Sequence, residues 1–359
     1  MHRNNLDVTH TDEITIDGIK IGAGQQPFII AELSGNHNQS LDTAMQMIKA
    51  AAETGVQAIK LQTYTPDTIT LDVAENEFLI SEDDNLWQGK SLYQLYGEAM
   101  TPWEWHKPLF DYAKSLGLIA FSTPFDLTAV NFLEQLDVPC YKVASFENTD
   151  HAILAAVAKT GKLVIMSTGM ASIDELAESV DVLKANGCNQ LILLKCTSHY
   201  PASPVDANLL TIPHLAQLFD CQVGLSDHTT GIGVSVAAVA LGACVIEKHF
   251  VLDRSIGGVD SEFSLEPSEF RMLVAETQRA QVALGKVRYG CTPKELDSRR
   301  YRRSLYISQD LQAGDTLNTH NLRSVRPGLG LAPKYLPLLL GKKINQDVKA
   351  GTAMSWELI

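Results

Sequence analysis

The 359-residue sequence has no long hydrophobic run, no CxxC pair and no excess of basic residues. The longest weakly polar stretch, Gly231 to Ile246, holds Ser235 and three glycines and is closed by Glu247 and Lys248. It falls short of the roughly 18 apolar residues that would span a bilayer, which excludes a helical membrane protein. The opening MHRNNLDVTHTDE lacks the apolar core and small-residue cleavage site of a secretory leader, so the cytoplasm is the expected location. Cysteines 140, 188, 196, 221, 244 and 291 are scattered through mostly apolar segments. That spacing excludes a disulfide framework or a cysteine zinc site and predicts buried free thiols. With 29 Lys+Arg against 42 Asp+Glu the formal charge is −13, which argues against nucleic acid as a partner. It does not exclude an anionic small molecule, because the field inside a pocket can oppose the overall charge. A hydrophobic fraction of 45% with 20% charged residues is ample for a packed core and excludes a mainly disordered chain.

What the sequence does contain is a regular series of short apolar runs that end in polar residues. They are FIIAELSGNH from Phe28, AIKLQTY from Ala58, LIAFSTPF from Leu118, CYKVASFE from Cys140, LVIMSTGM from Leu163, LILLKCTS from Leu191, CQVGLSDHT from Cys221 and CVIEKHF from Cys244. Helical periodicity fills the intervals, as in Leu41–Thr54, Pro102–Leu116, Ala129–Leu136, Ile153–Thr160, Ile173–Asn186, Leu209–Phe219 and Ile232–Leu241, and Pro267–Leu284 follows the eighth run. Eight strand–helix units over about 250 residues predict a closed (β/α)₈ TIM barrel in the α/β class. An open doubly wound sheet would carry GxGxxG after its first strand, where this chain has ELSGNHN. The long interval at Glu75–Glu98, with Leu86, Trp87, Leu92, Tyr93 and Tyr96, predicts a packed lid or subunit contact over the barrel mouth.

After Leu284 the pattern changes. The expected division is a barrel domain over residues 1–285 with an N-terminal extension, a polar linker over 286–302 carrying Arg299, Arg300 and Arg302, and a β-rich domain over 303–359. The arginine run, with Arg303, is expected to be solvated and to make ion pairs between subunits. Strand-like SLYIS and AMSWELI separated by glycines and prolines predict a small turn-rich unit, near the lower size limit for independent stability.

Side chains alternate along a barrel strand, and active-site groups gather at the C-terminal strand ends. Parity puts Lys60 with Gln62, Lys142 with Ala144, Ser198 with Tyr200, Ser226 with His228, and Glu247 with His249. His228 and His249 end neighbouring strands, a placement suited to one divalent ion such as Mn²⁺, Mg²⁺ or Co²⁺ completed by water and substrate oxygens. Glu247 could orient a ligand there. Lys60 and Lys142, costly inside a barrel unless paired, stand among Thr123, Ser145, Ser167 and Ser226, a set suited to a ligand carrying phosphate and carboxylate. Glu32 is a candidate acid/base or sugar-hydroxyl acceptor, or else a partner for Lys60. Tyr64, Trp87, Trp103 and Trp105 could stack on a sugar or simply pack, and Asp260 in DRSIGGVDS could face a ligand.

Taken in order, AELSGNHN, IKLQTYT, FSTPFD, YKVASFE, STGM, LLKCTSHYP, GLSDHT, IEKHF and the C-terminal RPGLGL resemble the sialic acid synthase family over nearly the whole chain. The resemblance implies a barrel followed by a small antifreeze-like (SAF) domain, and a homodimer in which each small domain covers the partner's barrel. ELSGNHN, GKSLYQLYGEAMTPWEWH and Ser198 in LLKCTSHYP are more similar to the branch that makes pseudaminic acid than to the N-acetylneuraminate branch. The implied reaction is metal-dependent condensation of phosphoenolpyruvate with 2,4-diacetamido-2,4,6-trideoxy-β-L-altropyranose and water, giving pseudaminic acid and phosphate. Such a product is expected to serve carbohydrate biosynthesis such as flagellin glycosylation. By motif position, phosphoenolpyruvate would be held by Lys60, Thr123, Lys142, Ser145, Ser167, Ser198 and Ser226, and the metal by His228 and His249. Glu32, Gln62, Tyr200, Glu247 and Asp260 would face the sugar or the metal's water, and Arg326 would reach in from the partner. N-acetylneuraminate or legionaminate synthesis is the alternative within the family. A pyruvate aldolase using Lys142 or Lys60 as Schiff base is the alternative of another class.

Overall fold

The computed structural model describes residues 14–81 and 86–359, so the opening segment read for a secretory leader lies outside the described residues. The chain forms two compact units, one ending at Gly285 and one spanning Lys286–Ile359. The first begins with a two-stranded hairpin, β1 (Ile14–Ile16) and β2 (Ile19–Ile21), then β3 (Phe28–Glu32), α1 (Leu41–Thr54) and β4 (Ala58–Thr63). There follow α2 (Pro66–Ile69), α3 (Leu92–Ala99), α4 (Trp103–Ser115), β5 (Ile119–Pro124), α5 (Leu127–Gln135), β6 (Cys140–Val143), α6 (His151–Lys159), β7 (Leu163–Ser167) and α7 (Ile173–Ala185). The unit ends with β8 (Leu191–Cys196), α8 (Thr211–Phe219), β9 (Gln222–Asp227), α9 (Gly233–Ala240), β10 (Val245–His249) and α10 (Pro267–Leu284).

Strands β3 to β10 close into an eight-stranded parallel barrel, β10 pairing with β3. All eight arise from the apolar runs, and the connecting helices start where Ser40, Asp126, Asp150 and Ser172 cap the first free backbone N–H groups. Alternation decides which residues meet helices and which fill the lumen. Thr63 and Ser122 point outward and share a hydrogen bond of 2.6 Å, with Thr63 also 2.8 Å from His106 on α4. Tyr141 likewise points outward and donates to Glu134 on α5, while Lys60 and Lys142 point in.

The β1–β2 hairpin is an element that the strand series does not include. Its signal is Asp17–Gly18 between alternating isoleucines, and both turn residues take the positive φ of a type I′ turn, 45° and 85°. Ile14, Ile16 and Ile21 join the main apolar core. In the Glu75–Glu98 interval, Leu79 bridges Ser91 and the chain runs into α3, with Ser91 capping the helix. Residues 82–85 of this interval lie outside the described residues.

The C-terminal unit contains β11 (Ser304–Ile307), antiparallel to β12 (Leu322–Val325), and the short α11 (Leu336–Leu339) around its own core of Leu305, Ile307, Leu317, Leu322, Leu339, Ile344 and Met354. AMSWELI is not a strand. Met354 and Leu358 are the buried pair, a spacing of one helical turn, and Trp356–Leu358 is a 3₁₀ turn. Residues 286–302, expected as a linker, group with this unit. Gly328 N donates to Arg300 O at 2.7 Å, and Arg303 Nη1 donates to Ser324 O at 2.9 Å. Lys286–Ile359 carries 13 Lys+Arg and 6 Asp+Glu, a net of +7, leaving 16 and 36, or −20, for residues 1–285.

Candidate functional site

The C-terminal ends of the barrel strands bring most of the chemistry together. Glu32 (β3), Lys60 (β4), Lys142 (β6) and Glu247 (β10) form a buried charged quartet: Lys60 Nζ lies 2.7 Å from Glu32 and 3.3 Å from Glu247, and Lys142 Nζ is 3.8 Å from Glu247. Hydroxyl groups surround the ammoniums. Lys60 donates to Thr123 at 3.1 Å, Lys142 to Ser167 at 2.6 Å, and Ser226 to Glu247 at 2.9 Å. Gln62 sits beside Thr123 in register.

The carboxylates differ because their neighbours do. Burial works against ionising Glu247, but Lys142, Lys60 and the Ser226 hydroxyl hold its pKa down to about 2. Burial outweighs Lys60 at Glu32, raising it, and the Glu247 charge adds to the rise. Burial lowers Lys142 despite Glu247, whereas at Lys60 the two carboxylates outweigh burial and raise it.

Beside this quartet Ser145 and Ser198 converge on Gly169, whose N–H donates to Ser145 Oγ at 3.2 Å. A Cβ on Gly169 would stand 2.2 Å from Ser198 Oγ and 2.6 Å from Ser145 Oγ. Only glycine leaves this small hydroxyl-lined cradle open, and an oxyanion is the group it suits.

His228 and His249 face each other across the lumen edge with ring centroids 5.3 Å apart. Each ring has its Nδ1 engaged: His228 with Thr197 O at 3.0 Å, His249 with Ser34 Oγ at 3.3 Å and Asp260 at 3.7 Å. No hydrogen-bond partner engages either Nε2 among the described residues. That arrangement fixes the rings as metal ligands are fixed, leaving one free nitrogen each. Among the described residues no group of three or more His, Cys, Asp or Glu side chains is arranged to hold a metal. The donor set therefore fits an ion taking two protein nitrogens and filling its remaining positions with water and substrate oxygen. Burial, then the charge of His228, pushes His249 well down, keeping that ring neutral.

Asp260 is brought to the same mouth by Asn36, whose side-chain oxygen accepts from Asp260 N while its amide donates to Phe250 O and Ser264 Oγ. Tyr200 packs against His228 and Phe263, and Trp87 reaches both Tyr200 and Val259 O. Of the four aromatic residues considered for sugar stacking, the other three pack within the protein: Trp103 stacks on Phe132, Trp105 meets His37 edge-on, and Tyr64 is enclosed by Tyr96 and Phe125. Arg326 is not part of this cluster: it is exposed and follows β12 in the other unit.

Two residues here escaped the sequence reading. Glu147, in the 3₁₀ turn Ser145–Glu147 after β6, has a buried Oε2 without a hydrogen-bond partner. Burial raises its pKa to about 7 against the pull of Lys142, and its charge also acts on Tyr200 and Tyr96. Cys196, buried and free as expected, also shares the parity of Ser198 and Tyr200. It lies 3.8 Å from His228 Nδ1 and 3.6 Å from Ser198 Oγ. Burial opposes its ionisation, but His228 brings the thiol down to about 6. Cys140, Cys188, Cys221 and Cys244 are buried and free, as expected, and Cys291 is partly exposed.

A barrel of this design, with a two-lysine anion site beside two imidazoles, defines an enzyme-like site suited to an anionic substrate and a metal-polarised partner. Residues 47–289 match the NeuB family and residues 302–359 the SAF domain, and the chain belongs to the NeuB family. It is 46% identical to pseudaminic acid synthase of Campylobacter jejuni over 327 residues, 91% of this chain and 95% of that protein. It is 42% identical to pseudaminic acid synthase of Helicobacter pylori over 332 residues, 92% and 97% of the two chains. The crystal structure of N-acetylneuraminic acid (sialic acid) synthetase from Leptospira borgpetersenii in complex with citrate superposes with a TM-score of 0.71 at 34% identity, covering 80% of this chain and 95% of that one.

Proposed function

We propose that this protein condenses phosphoenolpyruvate with 2,4-diacetamido-2,4,6-trideoxy-β-L-altropyranose and water, releasing pseudaminic acid and phosphate. The observation that carries this reading is identity of 42–46% to pseudaminic acid synthases over nine-tenths of the chain, barrel and small unit together. In the reaction C3 of phosphoenolpyruvate bonds to the aldehyde carbon of the open-chain sugar, water adds at C2, and the C2–O bond to phosphate breaks.

Lys60 and Lys142 hold the anionic ends of phosphoenolpyruvate, with Thr123, Ser167 and Ser226 around them and Ser145, Ser198 and the Gly169 cradle beside them. Fixed, buried donors oppose the charge on the leaving phosphate without reorganising. His228 and His249 hold a divalent ion. Such an ion, when bound, supplies Lewis-acid polarisation of the aldehyde. Glu32, Gln62, Tyr200 and Asp260 face the sugar, and Glu247, whose oxygens meet Lys60, Lys142 and Ser226, favours the charged form of both lysines. Glu147, poised near neutrality with a free buried oxygen, takes the proton from the water that adds at C2. Arg326 reaches the sugar from a second copy of the chain, and the opposite net charges of the two units favour such a pairing. The enzyme works in the cytoplasm, where its free thiols stay reduced.

The test is phosphate release from phosphoenolpyruvate with a panel of N-acetylmannosamine, the altrose derivative and 2,4-diacetamido-6-deoxymannose. Turnover is expected with the altrose sugar. Preference for either of the others would reassign the chain to neuraminate or legionaminate synthesis.

A further inference from the structure

Directly behind the two imidazoles, on the helix-facing side of the barrel wall, lies an ion pair that the reaction does not use. Asp227 and Lys248 are register partners on β9 and β10, and each immediately precedes one of the histidines. Both side chains are shut off from solvent, 1% and 0% exposed, with Nζ 3.0 Å from the Asp227 carboxylate.

The contacts of this pair are unusually complete. Lys248 Nζ donates to Thr229 O at 2.5 Å and approaches Asp227 O at 3.4 Å, so one ammonium holds the carbonyls on both sides of His228. The Asp227 carboxylate in turn accepts from the Thr229 N–H at 2.9 Å, the Thr229 hydroxyl at 2.7 Å and the Ser235 hydroxyl on α9 at 2.6 Å. His228 O meanwhile accepts from Ala202 N at 3.0 Å. The chain leaves β9 at this point, where the regular ladder gives way to the single bridge between Ala202 and Thr229.

Burying two charges is expensive, and an apolar pair of similar volume would serve stability as well or better. The site therefore calls for a reason other than stability. We infer that Asp227 and Lys248 are positioning residues that set the distance and tilt between His228 and His249, and so the affinity of the two-histidine site for its divalent ion. This rests on the metal-dependent reading of the function. Groups that orient metal-ligating histidines are commonly worth 10- to 100-fold in metal affinity.

The experiment measures Mn²⁺ binding to the full-length protein without substrates, from the electron paramagnetic resonance signal of free Mn²⁺, alongside thermal unfolding. Asp227→Asn and Lys248→Met are each expected to raise the Kd for Mn²⁺ at least about tenfold. Ser235→Ala, which removes one hydrogen bond and leaves both charges, is expected to raise it severalfold and serves where the charge variants fail to fold. Leu183→Ala, a core truncation on α7, should lower the unfolding temperature while keeping Kd within twofold of wild type. Folded Asp227, Lys248 and Ser235 variants that all bind Mn²⁺ like wild type would overturn the inference. His228→Ala separates the two levels: if it binds Mn²⁺ as wild type does, the two-histidine site itself fails, and the positioning role fails with it.

Discussion

Glu147→Gln should make the protein more stable, and the gain should depend on pH. In the folded chain burial raises the Glu147 carboxyl from 4.5 to about 7. The folded state therefore keeps its proton over a range where the unfolded chain has lost it. Below about pH 4.5 both states are protonated and the residue contributes nothing to the balance. As pH rises toward 7 the native protein loses stability, and above 7 it bears the full cost of a buried, poorly solvated carboxylate. A rise of that size corresponds to about 3 kcal/mol, and the partial exposure of the side chain reduces this to about 1–2 kcal/mol. Glutamine fills the same space and cannot ionise, so it removes the penalty. Urea unfolding at pH 5 and pH 8 measures it: the variant should gain about 1–2 kcal/mol on wild type at pH 8 relative to the difference at pH 5. Turnover should move the other way, with kcat falling and its pH limb near 7 disappearing. A stability difference that is the same at both pH values would show Glu147 to be an ordinary solvated carboxylate and would refute the reasoning.

Other perturbations act on neighbouring parts of the site. Lys60→Met leaves Glu32 without its ammonium and Glu247 with Lys142 alone, and should cost about 3–5 kcal/mol in chemical unfolding as well as phosphoenolpyruvate binding; a loss below about 1 kcal/mol would mean the carboxylates are not held by this lysine. His228→Ala or His249→Ala should lower metal-dependent turnover by at least about a hundredfold, and full activity in the presence of a chelator would remove the metal from the scheme. Arg326→Ala should raise the KM for sugar more than that for phosphoenolpyruvate, equal effects counting against a contact from a second copy. Borohydride with pyruvate should leave Lys60 and Lys142 unmodified; a trapped adduct on either would favour the Schiff-base aldolase.

The barrel is legible in the sequence because each of its strands is an apolar run that stops at a polar residue, and a parallel barrel needs nothing more subtle. Parity then reads the lumen directly: Lys60, Lys142, Glu247 and His249 all follow from counting by two along strands that are straight up to those positions. The same rule misses Glu147 for a physical reason. β6 ends at Val143, and the 3₁₀ turn at Ser145–Glu147 replaces the period of two with one of three, so counting from Lys142 no longer says where the side chain faces. Cys196 is buried and free as expected, but its place beside His228 is not legible. It shares parity with Ser198 and Tyr200, but a thiol in an apolar run reads as core until the imidazole beside it is known. Asp227 and Lys248 show the limit of the method, since alternation turns both away from the lumen. Their bearing on the histidines emerges only when the register sets them side by side.

The distribution of charge clarifies how an acidic protein handles an anionic substrate. The total of −13 combines a strongly acidic barrel unit, −20, with a basic C-terminal unit, +7. Acidic residues on the barrel's surface are screened by water and salt over about 8–10 Å, so they do little to repel an ion already inside the lumen. Among the buried quartet the balance turns on the two carboxylates. Glu247 is firmly ionised by its two lysines, while burial raises Glu32 and makes it the easier carboxylate to neutralise. A proton on Glu32 would leave two ammoniums against one carboxylate, a net positive charge among these four groups that suits an anionic ligand. The two glutamates therefore differ: Glu247 stays ionised beside both lysines, and Glu32 is the carboxylate that a proton neutralises first.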